Sequence, residues 1–513
     1  FVYSSRLIPK MALRIFKGPE FQNLNVKLTM WYTFFLYLSR GMYNQNILSA
    51  YIYILTDGSN TKIGLVTGLR GLVQVLIGPL CGYFADKYKR AIILRIAGVL
   101  GLIAAVIMIV ALWIQSYTLL CIAGMSWGLF GGVSNSSVEA LFADSVPNGS
   151  RSKVFSYKSA LTKVANAAGP ALSLILFLIL GDKWTSGTCL AALTVGLALS
   201  AVPSALLFFL HDRHALTAAA ATGRSESKGS TQADLKQPLL EDESQADTEE
   251  DEADDSSCAA EEDVLPASKQ VEAISGQSGR SMLEERSPSS MGKLPTSIQD
   301  SNLSFKPKEN QYTALGKVKY SNYIPAMVVT GDILAGIASG MSIKFFPIFF
   351  KQNLSLSPVE VQTIYIFSNL LTSLTSIVAQ RFSKRAGRGV TILLSKGLGI
   401  SFLVMICLLS YYGFERAGIL GMVFVFRTAL MNGTKALSRS IIMDQVPKRH
   451  RAKWSSLEAF NTASWSGSAF LGGVLVDRAG ILNNFYVTSA LQACALVPVF
   501  TLTATGKIPR EGN

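Results

Sequence analysis

Twelve apolar runs of at least 20 residues each restrict this chain to one kind of fold. A helix needs about 20 apolar residues to cross the ~30 Å hydrocarbon core of a bilayer. The mean hydropathy of +0.33 is too high for an ordinary soluble enzyme. We therefore predict an all-α membrane protein with twelve transmembrane helices. The runs lie at roughly 28–55, 63–84, 91–113, 117–141, 154–180, 188–210, 322–350, 361–380, 390–412, 417–441, 455–476 and 481–503.

A ten-residue segment occurs twice, 300 positions apart. Residues 144–153 read DSVPNGSRSK and residues 444–453 read DQVPKRHRAK. Because proline disfavours helix continuation, each copy predicts a tight turn between two long helices. A duplicated unit in a hydrophobic chain is typical of transporters built from parallel repeats. We therefore expect two pseudo-symmetric six-helix bundles.

The composition of the segments outside the runs divides the chain further. Residues 241–263 carry 13 acids and no base, and the surrounding segment cannot bury enough apolar surface to fold alone. The expected domains are a basic arm (1–27), an N-terminal six-helix bundle (28–210), a disordered acidic linker (211–320), a C-terminal six-helix bundle (321–505) and a tail (506–513).

Basic residues are concentrated in alternate turns, at 85–90, 148–153, 381–388 and 448–453. This distribution follows the positive-inside rule, so we place both termini and the linker in the cytosol. The same distribution argues against nucleic acid as a partner. The sequence leaves open whether the protein resides in the plasma membrane or an endomembrane.

The turn at residues 82–90, GYFADKYKR, resembles the signature loop between helices 2 and 3 of the major facilitator superfamily. It matches at Gly82, Asp86, Lys87 and Arg90, while Lys89 replaces the second glycine. The resemblance implies the major facilitator fold and alternating access by two rocking bundles. Gly169-Pro170 is similar to the core of a motif found in proton-coupled antiporters, which favours the drug:proton antiporter-like branch.

Charged residues within the runs are candidates for the cavity, because ionisable groups inside a membrane are costly and usually face a cavity or a partner. Arg40 and Asp332 lie at similar mid-depth in runs 1 and 7, which line the central cavity in this superfamily. We expect either a pair across the cavity or two charges in separate polar pockets of their own bundles.

Run 10 carries Arg427 at mid-depth. The equivalent position of the first repeat, 300 residues earlier in run 4, is Trp127. Both are candidate cavity residues, although an aromatic residue among small ones also suits helix packing. The predicted cavity residues are Arg40, Asn44, Arg70, Trp127, Asp332 and Arg427. Their charges are mainly positive, which favours an anionic solute.

The repeated hairpins suggest ion pairs near the cytosolic side. Glu139 with Lys158 and Arg439 with Glu458 lie equally far from their turns. They form pairs within each bundle or, as the alternative, a gate between bundles. In family members the loop acid, here Asp86, approaches the start of helix 11. The predicted coupling and gating residues are Gly82, Asp86, Arg90, Glu139, Lys158, Arg439 and Glu458.

No nucleotide-binding loop or metal-ligand spacing is present in the sequence, so we expect no cofactor, no metal and no enzymatic activity. We predict a monomeric secondary transporter, embedded in a lipid bilayer, that moves a small organic solute and is driven by protons. Any titrating carboxylate would be Asp332, Glu139 or Glu458. The alternatives are an uncoupled uniporter and a non-transporting receptor or scaffold.

Overall fold

The computed structural model describes residues 21–147, 151–216, 320–445, 451–506 and 508. Within these ranges, the side chains of 85–86, 151–152, 320–322, 443, 445, 451–460 and 462–463 are not described. Most of the predicted basic arm, linker and tail therefore lies outside the described residues, and the expectations for them stay predictions.

The long secondary-structure elements of the N-terminal half are all α-helices. Its apolar runs form helices because a backbone in a bilayer must satisfy its own hydrogen bonds. The helices are α1 (Leu24–Tyr43), α2 (Ile47–Leu55), α3 (Asn60–Lys87), α4 (Arg90–Trp113), α5 (Tyr117–Asp144), α6 (Arg151–Leu180), α7 (Ser186–Leu199) and α8 (Ala201–Leu206).

The C-terminal half repeats this order, as expected for a pseudo-symmetric second bundle. Its helices are α9 (Tyr320–Ile343), α10 (Phe346–Gln352), α11 (Pro358–Ala386), α12 (Arg388–Tyr411), α13 (Ala417–Gly433), α14 (Lys435–Gln445), α15 (Arg451–Ala479) and α16 (Ile481–Ala504).

Ten segments of the described residues are long and apolar enough to cross a membrane. The other two predicted spans, α1 with α2 and α15, are helical and carry more polar side chains. The prediction of an all-α membrane fold in two six-helix bundles is confirmed.

Four of the predicted spans are interrupted, which the apolar pattern alone did not indicate. Spans 1, 6, 7 and 10 break at residues 44–46, 200, 344–345 and 434. In span 1 the break coincides with three consecutive amide residues, Asn44 to Asn46, whose side chains bond to residues of the other half. In span 7 it coincides with Lys344, whose ammonium group leaves the helix to bind another segment.

Contacts between the two halves are made chiefly by α3 with α15 and by α6 with α11. The helices connect at two opposite ends of the bundle. The gate end comprises the connections at 56–59, 114–116, 181–185, 353–357, 412–416 and 480, and the basic end comprises the described connections at 88–89, 145–147 and 387. The largest apolar cluster lies mainly in the N-terminal half and includes Phe345, Ile348 and Val476 of the C-terminal half. A second cluster, whose buried residues all lie in the C-terminal half, is rich in phenylalanine, including Phe346, Phe350, Phe424 and Phe485.

Candidate functional site

The breaks in spans 1 and 7 face each other across the two halves. Lys344 Nζ donates hydrogen bonds to the backbone oxygen of Asn44 at 2.5 Å and to Asn44 Oδ1 at 3.4 Å. Lys344 is only 5% exposed. The two residues are 300 positions apart, which is the offset of the sequence repeat. The helix break in the N-terminal half thus leaves the carbonyl of Asn44 free to accept a hydrogen bond. The equivalent break in the C-terminal half supplies the ammonium group of Lys344 that donates it.

Amide side chains extend this contact between the halves. Asn46 and Gln362, both fully buried, exchange two hydrogen bonds of 3.1 Å. Asn369 Nδ2 donates to the backbone oxygen of Asn166 at 3.0 Å. Buried amides are stable only when their donors and acceptors are satisfied, and here each half satisfies the other.

Three cations gather beside the break in span 1. Arg40 lies on α1 with its guanidinium 5.9 Å from the ring centroid of Tyr37, and its Nε has no hydrogen-bond partner. Arg70 lies on α3, where its backbone oxygen packs closely on Gly128 of α5, next to Trp127 and so beside Tyr43 of α1. Lys344 binds Asn44, one helical turn after Arg40. Like charges in a membrane interior repel one another, so an anion bound beside them would be stabilised.

Of the two arrangements expected for Arg40 and Asp332, the pair across the cavity is not the one seen, because Asp332 pairs with a lysine of its own half. Asp332 Oδ1 accepts a hydrogen bond from Lys396 Nζ at 3.0 Å, within the C-terminal half. Lys435 lies within electrostatic range of both groups. The alternative of separate pockets in each half therefore matches the structure. Sequence depth alone could not choose the partner, because Lys396 of span 9 reaches into the bundle.

Trp127 and Arg427, the repeat mates of spans 4 and 10, pack against spans 1 and 7. Trp127 is 1% exposed, lies 5.6 Å from Tyr43 between ring centroids, and its Nε1 has no hydrogen-bond partner. The Arg427 guanidinium lies 5.1 Å from the ring centroid of Phe346 in its own half, and the residue is 3% exposed. Their role as cavity residues stays a prediction.

The ion pairs at the basic end lie within each half. Lys158 Nζ donates to Glu139 Oε1 and also lies 4.7 Å from the Phe142 ring. The pair lies within the N-terminal bundle, and a role for Glu139 and Lys158 in gating stays a prediction. Arg90 donates to Asp144 in the N-terminal half.

An equivalent bond repeats this arrangement in the C-terminal half, where Arg388 donates to Asp444. The side chains of Asp86 and Glu458 lie outside the described residues, so their roles and the pairing of Arg439 with Glu458 stay predictions. A Cβ added at Gly82 would meet no atom within 4 Å, and its role is likewise untested.

Sequence reasoning missed the residues that join the halves. Lys344 stands inside the apolar run IKFFPIFF and was not counted among the deep charges, and Gln362 and Asp477 lie near run ends. The offset of 300 between Asn44 and Lys344 was the one sequence signal that could have identified Lys344. Gln362 and Asp477 carry no pattern that distinguishes them from ordinary polar residues.

Comparisons with known proteins agree on the fold. A family model described as the Major Facilitator Superfamily matches residues 30–467. A bacterial homologue of the iron transporter ferroportin, in an inward-facing state, aligns with a TM-score of 0.61 at 12% identity, covering 94% of this chain and 98% of that one. An outward-facing structure of a bacterial homologue of ferroportin gives 0.54 at 12% identity, covering 94% and 99%.

A D-xylose-proton symporter aligns with a TM-score of 0.60 at 12% identity, covering 96% of this chain and 98% of that one. At such identities the likeness concerns the fold alone. No curated protein matches the sequence.

Proposed function

The chain belongs to the major facilitator superfamily, and on that premise we propose that it is a secondary transporter that moves a small organic solute by alternating access. The observation that carries this proposal is the polar contact between the breaks of spans 1 and 7. Hydrogen bonds such as that of Lys344 to Asn44 can separate and re-form without unfolding a helix. A closure built from them is therefore reversible, as alternating access requires.

We assign the described structure to the inward-facing state. The hydrogen bonds between described residues of opposite halves occupy only the part of the bundle nearer the gate end. They begin at that end with Asp477 and reach the middle of the bundle at Asn166. If the basic turns are cytosolic, the gate end faces the exterior or an organelle lumen.

Proton coupling would act through Asp332. Its carboxylate is the described mid-depth acid that pairs with a cation, and its side chain is 24% exposed while that of Lys396 is 8% exposed. Protonation of Asp332 would remove the attraction to Lys396 and leave that ammonium group to rearrange. Solvent reaches the carboxylate more readily than the ammonium, which suits a group that must exchange protons.

The antiporter-like branch gains no support from the Gly169-Pro170 pair. A Cβ on Gly169 would lie 2.5 Å from the Cα of Gly41, so the glycine permits close packing of span 5 on span 1. Packing alone accounts for it. Transport measured under pH gradients of either direction distinguishes symport from antiport.

The test is transport in proteoliposomes. Counterflow of radiolabelled organic anions, organic cations and sugars would be measured with and without a pH gradient. We expect one class to be transported, with a gradient dependence that Asp332→Asn removes and the exposed-loop variant Asp57→Asn leaves intact. Transport that neither the gradient nor Asp332→Asn changes would establish a uniporter. No transport of any class would favour a receptor or scaffold.

A further inference from the structure

We propose that Arg40, Arg70 and Lys344 form an oxyanion site whose ligand is a small organic dianion bearing carboxylate or phosphate groups. The inference names the substrate class for the transport function proposed above and rests on it. The three cations come from α1, α3 and the break of span 7, so the site draws on both halves of the protein. A ligand bound there would touch both moving parts.

The first argument is proximity. Lys344 Nζ binds the backbone oxygen of Asn44, one helical turn after Arg40 on α1. The backbone of Arg70 packs closely on Gly128 of α5, next to Trp127, whose ring centroid lies 5.6 Å from that of Tyr43 on α1. Lys344 is 5% exposed, so little water screens its charge. Three positive groups so placed raise one another's free energy unless a negative charge lies among them.

The second argument is the missing counter-charge among the described side chains. Lys344 is bonded to a neutral carbonyl and a neutral amide oxygen, and Arg40 has an aromatic ring beside it and an unpartnered Nε. Four described acids of the helices already form ion pairs with other basic residues. These pairs are Asp332 with Lys396, Glu139 with Lys158, Asp144 with Arg90, and Asp444 with Arg388.

The third argument is donor chemistry. Guanidinium groups present paired N–H donors that match the two oxygens of a carboxylate or phosphate, and Arg40 and Arg70 are half-buried, so part of each remains accessible. The Lys344 ammonium has three N–H donors and uses two on Asn44. The third can bind the ligand while the contact between the halves persists. A dianion would thus link the halves instead of separating them.

Metal cations fit the described residues poorly. No group of three or more His, Cys, Asp or Glu side chains that could hold a metal ion exists in the described part of the chain. A site of three cations would also repel a metal ion. The iron and metal transporters named among similar structures therefore share the fold without indicating the ligand.

The experiment is ligand binding to the purified full-length protein in detergent. Succinate, inorganic phosphate and glycerol 3-phosphate would be compared with glycerol and choline by thermal shift and isothermal titration calorimetry. We expect at least one of the three anions to raise the melting temperature by mass action, and neither glycerol nor choline to do so. Arg70→Gln and Lys344→Met should each weaken anion binding about tenfold, equivalent to about 1.4 kcal/mol.

The matched control is Lys62→Gln, which removes an exposed cation beside Tyr117 at the gate end and should leave binding unchanged. Arg40→Gln and Lys344→Arg serve if Lys344→Met does not fold; the first should weaken binding and the second retain most of it. Absence of binding by all three anions, or equal binding by wild type and the charge-removing variants, overturns the inference.

Failure of the inference can be told from failure of the proposed function. Transport of a sugar or an organic cation, without anion binding, would overturn the oxyanion site and leave the transporter standing. Anion binding that depends on Arg70, without transport of any panel member in proteoliposomes, would uphold the site and overturn the transport proposal.

Discussion

Asp477 Oδ2 accepts a hydrogen bond of 2.7 Å from the backbone N–H of Thr61, and this bond joins the two halves at the gate end. Asp477 Oδ1 accepts another from the backbone N–H of Asn60 at 2.9 Å. Asp477 lies in the last turn of α15, and its carboxylate caps the first turn of span 2. Free N–H groups and the helix dipole make that turn attractive to an anion.

The same arrangement occurs at the pseudo-symmetric position. Asp182, just after span 5, accepts a hydrogen bond of 2.9 Å from the backbone N–H of Val359 in the first turn of span 8. Each half thus caps a helix of the other. Because both caps cross between the halves, they would be lost whenever the gate end opens.

Asp477→Asn should therefore favour opening at the gate end. An amide oxygen accepts more weakly than a carboxylate and lacks the charge that the helix dipole attracts. Because the carboxylate is exposed, we expect a loss of about 1 kcal/mol at most, or about fivefold in the ratio of closed to open protein. Spin labels attached through Lys62→Cys and Asn483→Cys, both exposed, would report a longer distance by pulsed electron paramagnetic resonance.

The control for this variant is Asp57→Asn, in the adjacent connection. Asp57 is exposed and has a φ of 52°, a conformation that asparagine adopts as readily as aspartate. The distance distribution should not change. An equal change in both variants would mean that loop charge, rather than the cap, controls the gate end.

The same contact predicts a pH dependence. Partial burial raises the pKa of Asp477, but hydrogen bonds from Thr61 and Asn60 outweigh it, so its pKa lies below the ordinary value. A depressed pKa in the closed state stabilises that state above the open-state pKa, and the stabilisation is lost as pH falls through the closed-state pKa. The label distance should lengthen below about pH 4 in wild type and respond less in Asp477→Asn.

Gly473 permits a close approach between the two halves at the gate end. A Cβ at this position would lie 2.4 Å from the backbone oxygen of Asn60, which cannot move without displacing span 2. Gly473→Ala should disfavour the closed state by about 1–3 kcal/mol, the usual range for overpacking. The label distance should lengthen more than in Asp477→Asn.

Gly467→Ala on the same helix is the matched control, because a Cβ there meets no atom within 4 Å. It should leave the distance unchanged and slightly stabilise the helix. If the two alanine variants behave alike, close packing at residue 473 does not determine closure.

The fold was predictable because its signals are long and redundant. Apolar runs gave the spans, the offset of 300 gave the two halves, and basic turns gave the expected orientation. The site was less predictable, because pairing depends on where helices break and on which side chains reach inward. Arg40 and Asp332 had matching depths, yet Lys396 on span 9 bonds to Asp332. Gating by Asp86 or Glu458 stays a prediction.

Asn46 and Gln362 should show a measurable coupling energy. Asn46→Leu or Gln362→Met alone leaves a buried amide without its partner, whereas the double variant removes both amides. Hydrogen bonds between membrane helices contribute about 0.6 to 2 kcal/mol. The double variant should therefore unfold at a higher temperature than the sum of the single losses predicts. Additive losses in a thermal-unfolding cycle would show that the amides act independently.

Asp332 and Lys396 should show the larger coupling. Asp332→Asn leaves the Lys396 ammonium, whose side chain is 8% exposed, without a counter-charge. Breaking a buried ion pair from one side costs about 3–5 kcal/mol, whereas replacing both members is often neutral. We expect Asp332→Asn to lower the melting temperature by several degrees and the double variant with Lys396→Met to recover most of that loss.

Lys396→Met alone tests the asymmetry of this pair. The carboxylate it leaves behind is 24% exposed and lies within electrostatic range of Lys435, so this variant should lose less stability than Asp332→Asn. Thermal unfolding of all three variants at one pH completes the cycle. A coupling energy below about 0.5 kcal/mol would show that Asp332 and Lys396 contribute independently to stability. Proton coupling through release of Lys396 would then lose its physical basis.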